Sequence, residues 1–98
     1  MDVYLELKIQ PESTYWAEVE YLSKQGEWRT IESLKGQARN GFIRWFICAA
    51  DFKSEFSYRW RIFLPGSLEV LATSTAFSLP KQHNETIRSS IMLVPHLV

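Results

Sequence analysis

The sequence predicts an all-β domain, a two-sheet antiparallel β-sandwich of six to seven strands. Apolar and polar residues alternate with period two over several segments, most clearly from Val3 to Ile9 and from Phe56 to Leu64, as strands with one buried face require. Clusters of Gly, Pro and Ser separate these segments and supply turn chemistry. The connections are short and no long helix stands out, so the apolar face of each sheet must be covered by another sheet.

The elements follow in order. Val3, Leu5, Leu7 and Ile9 alternate with Tyr4, Glu6, Lys8 and Gln10, and Pro11 ends the strand. Tyr15, Ala17, Val19 and Tyr21 alternate with Trp16, Glu18, Glu20 and Leu22, and Ser23, Lys24, Gln25 and Gly26 then turn the chain into Trp28 to Leu34. This third segment also fits a helix, because Glu27, Ile31, Leu34 and Ala38 would share one helical face. Gly36 and Gly41 close in around it and favour a short strand. Phe42 to Ala49 is apolar and aromatic apart from Arg44, as expected of a strand covered on much of both faces, with Cys48 as a small buried hydrophobe.

Phe56, Tyr58, Trp60, Ile62 and Leu64 alternate with Ser57, Arg59, Arg61 and Phe63. Pro65, Gly66 and Ser67 turn the chain into a last long strand, Leu68 to Leu79, whose alternation blurs between Ala72 and Ala76, where a bulge or bend would change the register. Pro80 stops it. Residues 1–80 therefore read as the sandwich, and 81–98 as a polar linker, Lys81 to Ser90, followed by a short apolar tail, Ile91 to Val98.

Composition narrows the function. A chain of 98 residues has room for one core, and 46% apolar with 22% charged residues is a globular balance. Eleven basic residues balance eleven acidic ones, so bulk charge exerts no pull on phosphate or acidic lipid, and nucleic acid is disfavoured as a partner. Cys48 stands alone and can form neither an internal disulfide nor a thiolate metal site. No apolar run is long enough to span a bilayer and no signal-peptide pattern opens the chain, so a cytoplasmic protein without a membrane partner is expected. His83 and His96 fall in the tail without a triad or zincin pattern, and a P-loop and a dinucleotide fingerprint are absent. The expectation is a protein that is not an enzyme, with no catalytic residue, cofactor or metal.

The run from Phe52 to Ile62 resembles the corner and F strand of fibronectin type III domains, with Phe52 in the place of a Leu six residues before Tyr58. The resemblance implies that Tyr58 is a corner tyrosine, its ring packed inward and its hydroxyl bonded to upstream backbone. Ala17, Val19, Tyr21 and the Gly26, Glu27, Trp28 turn look like that family's C strand and C-to-C′ turn, and Val3 to Ile9 looks like its B strand. Ile9 departs from the pattern by standing where the family usually has Trp, and nothing ahead of Val3 can serve as strand A. The edge of the B-like strand therefore needs a cover: Ile91 to Val94, a second copy, or a partner.

In such an arrangement the C and F strands are neighbours, which sets outward-facing Glu18 and Glu20 alongside Arg59 and Arg61 in a cross-strand charge ladder. The same face carries Trp16, Leu22 and Phe63. Together with the tail residues Ile91, Met92, Leu93 and Val94, these are the candidate interface residues. Lys35, Arg39, Arg44, Arg59 and Arg61 interleave with Phe42, Trp45 and Trp60, a composition that could contact phosphate and stack bases, but Trp45 and Trp60 fall on the apolar alternation and read as core. The sequence thus points to a non-enzymatic protein-protein interaction module, a small adaptor, subunit or accessory protein, acting on a protein partner or as a homodimer through a sheet face or an exposed strand edge. The alternative is a ligand-binding β module for carbohydrate or single-stranded nucleic acid.

Overall fold

Strict alternation in β1 (Asp2–Gln10) buries Val3, Leu5, Leu7 and Ile9, none more than 1% exposed, and makes this strand the spine of one sheet. The computed structural model describes residues 2–48, 52, 56–79 and 85–93, and its elements are all strands. β2 (Tyr15–Leu22), β3 (Trp28–Ala38), β4 (Phe42–Cys48), β5 (Ser57–Phe63), β6 (Val70–Thr73), β7 (Phe77–Ser78) and β8 (Glu85–Met92) follow in chain order. They form a three-stranded sheet, β4-β1-β8, packed on a five-stranded sheet, β3-β2-β5-β6, with β7 also paired to β5. The molecule is a two-sheet β-sandwich.

The turn between β2 and β3 forms as its residues dictate. Gly26 has φ +82°, its N–H donates to the Ser23 carbonyl at 3.0 Å, and the Ser23 N–H donates to the Glu27 carbonyl at 2.7 Å. β3 is a strand, and the helical alternative for residues 27–38 does not hold. Its ambiguous pattern has a cause: Glu18 pairs with Lys35 but Glu20 pairs with Thr30, so β3 carries surplus residues opposite one step of β2 and its alternation slips. β6 and β7 are one edge strand interrupted where the sequence alternation blurs. Ser74 fills the gap: its N–H donates to the Trp60 carbonyl and its Oγ accepts from the Trp60 N–H, both at 2.9 Å.

Between the sheets the Trp45 and Trp60 rings meet with centroids 5.1 Å apart. Trp60 is fully buried and Trp45 partly so. A Cβ at Gly36 would lie 3.1 Å from Trp45 Cζ2, so this glycine makes room for the indole. Gly41, at φ +70°, lies so close to the Ile9 carbonyl oxygen that any side chain would collide with it, which fixes the β3–β4 corner against the end of β1.

The expected arrangement needs three corrections. Glu85 to Ser90, expected as polar linker, are strand: β8 runs parallel to β1 from Val3↔Glu85 to Gln10↔Met92, the one parallel pairing among the described residues. The edge of β1 is thus paired by the chain's own C-terminal segment, with Ile91 buried in the core and the Leu93 N–H donating to the Gln10 carbonyl at 2.8 Å. Second, β4 is covered on one face only. Ile43 and Ile47 are buried and Trp45 packs against the core, whereas Phe42, Arg44, Phe46 and Cys48 point out. Third, Cys48 is exposed, because it shares the phase of Arg44.

Candidate interaction surfaces

The outer face of the larger sheet is built from the residues of β2 and β5 that alternate with the core set. Register places Trp16 opposite Phe63, Glu18 opposite Arg61 and Glu20 opposite Arg59. A plain ladder would pair each carboxylate with the guanidinium facing it. Instead both guanidiniums converge on Glu20: Arg59 Nε donates to Oε1 and Arg61 Nη1 to Oε2, each at 2.8 Å. Glu18 accepts from Trp16 Nε1 at 2.9 Å. Long side chains reach diagonal neighbours on a sheet, and two charge-assisted donors allow Glu20 to be buried to 2% exposure. The guanidiniums also lie over rings, Arg59 at 4.1 Å from the Trp28 centroid and Arg61 at 5.2 Å from that of Phe63. Their stems and planes exclude water from the apolar groups beside them, and Phe63 is buried.

The outer face of the smaller sheet repeats the theme loosely. Glu6 lies between Arg44 of β4 and Arg88 of β8 in register, with N···O distances of 4.0 and 3.5 Å. Both arginine side chains are more than half exposed. Arg44 sits 4.3 Å over the Tyr4 ring, and Tyr4 meets Phe46 edge-on at 5.4 Å. The apolar groups around them stay exposed: Phe42 is 46%, Phe46 57% and Met92 72% exposed. Among the described residues the other edge of β4 pairs with no named strand and carries only a bridge at Phe42, whose N–H donates to the Arg39 carbonyl at 3.1 Å.

A third feature lies at the end of the sandwich where β2 turns into β3. Tyr21 pairs with Arg29 on one side and Tyr58 on the other, so these side chains form a row on the inner face of the larger sheet. Phe52 and Phe56, from the connection between β4 and β5, close over this row, and the Tyr21 and Phe56 rings stack at 5.3 Å and 22°. Together with Ile31 they wall an open cavity of about 570 Å³ rimmed by Ser23, Lys24, Gln25 and Arg29.

The residues singled out in the sequence scatter over these features. Trp16 and Leu22 are half-buried and Phe63 is buried, all on the closed outer face. Ile91 points into the core, Leu93 packs against it, and Met92 alone of the described tail residues is exposed. Val94, His83 and His96 lie outside the described residues. Tyr58 is buried and stacks on Phe77 at 6.1 Å. A further tyrosine that sequence reasoning did not single out is Tyr15, whose hydroxyl donates to the Pro11 carbonyl at 2.6 Å and ties the β1–β2 connection to the start of β2. Phe42 and Phe46 were missed as surface groups, although Arg44 between them marks the solvent phase of their strand. Among the described residues no group of three or more His, Cys, Asp or Glu side chains could hold a metal ion, and no helix is long and apolar enough to cross a membrane.

No family model, curated protein or solved structure matches the chain.

Proposed function

We propose that the protein is a non-enzymatic interaction module, a cytoplasmic adaptor, subunit or accessory protein of fibronectin type III-like design, that contacts a protein partner through the outer face of its smaller sheet and the adjoining β4 edge. The observation that carries this reading is the pair of exposed phenylalanines, Phe42 and Phe46, on a strand whose outer edge lacks a partner strand among the described residues. Large aromatic groups on a strand that, past the Arg39 bridge, has no partner strand among the described residues suit a partner that adds a strand and seats side chains against the rings. Met92 extends the apolar area at the far edge, and the loosely paired Glu6, Arg44 and Arg88 offer charges that can re-pair across an interface. The fibronectin-like part of the reading is supported by the adjacency of β2 and β5, by β1 lying in the other sheet, and by the burial of Tyr58.

The lone cysteine provides the test. Cys48 is exposed and shares the outward phase of Phe46, so a maleimide-linked benzophenone attached there reports on this face without any substitution. Irradiation in an extract of the native host is expected to yield one discrete protein adduct, a second copy included, and Phe42→Lys/Phe46→Lys is expected to abolish it. Absence of a discrete adduct, or an adduct indifferent to that double substitution, contradicts the proposal.

A further inference from the structure

The cavity at the β2–β3 end of the sandwich lies apart from the face just proposed and has a composition of its own. Its walls are aromatic: Tyr21 and Phe56 are stacked, and Phe52 and Tyr58 complete the apolar lining with Ile31. Its volume of about 570 Å³ lies within the range of small-molecule sites. Its rim carries two cations, Lys24 and Arg29, and no carboxylate among the described lining residues. Arg29 does have a partner, Glu27, at 3.3 Å, but both side chains are more than half exposed and such a pair is readily exchanged. An occupant that fits both walls and rim has a flat aromatic ring, to lie against Tyr21 and Phe56, and a negative group at one end, to meet Lys24 and Arg29. Most of the lining belongs to the β2–β3 hairpin, where Gly26 and the Ser23 hydrogen bonds hold the rim in place before any ligand arrives.

We infer that this cavity is a binding site for a small aromatic anion, the ring held against Tyr21 and Phe56 and the negative group held by Lys24 and Arg29. A nucleoside monophosphate and an aryl carboxylate share that chemistry.

The test is a titration of the intact ¹⁵N-labelled chain, followed by amide shifts, with three probes: 2-naphthoate, adenosine 5′-monophosphate and the neutral 2-naphthalenemethanol. Saturable shifts at Tyr21, Lys24, Gln25, Arg29 and Ile31 are expected for at least one of the anions, with Kd on the order of 1 mM or tighter. The tighter anion identifies the source. The neutral probe should bind at least about fivefold more weakly than naphthoate, and Lys24→Glu/Arg29→Glu, on exposed or partly exposed positions, should weaken the anions about tenfold while changing the neutral probe less than about twofold. Ile31→Trp, which fills the cavity, should remove binding of all three probes, and the dispersion of its spectrum verifies folding independently. No saturable shift at these amides, equal affinity for the charged and neutral naphthalenes, or indifference to the charge reversal overturns the inference. None of these outcomes bears on the β4 face, since the probes and substitutions leave it untouched.

Discussion

On the larger sheet the guanidiniums that hold Glu20 leave an interior strand, β5, whereas on the smaller sheet those that flank Glu6 leave the edge strands β4 and β8. On both faces two arginines meet at one carboxylate, and the faces differ in what surrounds the group. Arg59 and Arg61 are two positions apart on one strand, reach Glu20 from the same side at 2.8 Å, and rest on Trp28 and Phe63 supplied by neighbouring positions. Arg44 and Arg88 approach Glu6 from opposite sides with solvent beyond each, and only Tyr4 receives a guanidinium cover. The same residue types close a face when the arginines stand on an interior strand and leave it open when they stand at edges. Association surfaces are then expected where the arginines fail to cover the rings, which is around Phe42 and Phe46 rather than around Trp16 and Phe63.

The largest effect expected from this contrast concerns the buried carboxylate. Arg59→Ala/Arg61→Ala strands the Glu20 charge and should cost about 3–5 kcal/mol in urea unfolding, while Arg44→Ala/Arg88→Ala should stay within about 1 kcal/mol. Equal losses would erase the distinction between the faces. The apolar residues give the next comparison: Phe63→Ala should cost about 3 kcal/mol and Phe46→Ala less than about 1 kcal/mol, read from thermal melts.

Much of the sandwich is legible in the sequence because its interior strands alternate strictly. β1, β2 and β5 each present a clean apolar phase, Gly26 announces the hairpin, and the blurred stretch after Ala72 marks the place where Ser74 takes over hydrogen bonding to Trp60. β8 is harder to see. Its inward positions, Ile87, Ser89 and Ile91, include a serine, and a parallel pairing with the opposite end of the chain leaves no local trace. The apolar run of β4 misleads in the other direction, since composition cannot distinguish a strand covered on both faces from an edge strand that displays its rings. The charged residues were legible as neighbours but not as a network, because register predicts Glu18 opposite Arg61 and only side-chain reach sends Arg61 to Glu20. Phe52 and Phe56 were legible around a corner tyrosine, whereas the cavity they wall depends on how the β4–β5 connection meets the β2–β3 turn.

The smallest effect sharpens the electrostatic side of the comparison. A double-mutant cycle on Glu6 and Arg88 should give a coupling below about 0.5 kcal/mol that fades in about 1 M salt, whereas the coupling of Glu20 to Arg59 should exceed it and persist. Persistence of the Glu6 coupling at high salt would mean that the smaller sheet's face is closed as well.

Hydroxyl-radical footprinting of the native protein tests the difference between the faces most directly, because Phe46 and Phe63 offer the same ring chemistry at 57% and 6% exposure. Oxidation of Phe46 should outpace that of Phe63 several-fold, with Phe42 close behind Phe46, in the purified chain at low concentration. Equal rates, or faster oxidation of Phe63, would contradict the assignment of a closed and an open face.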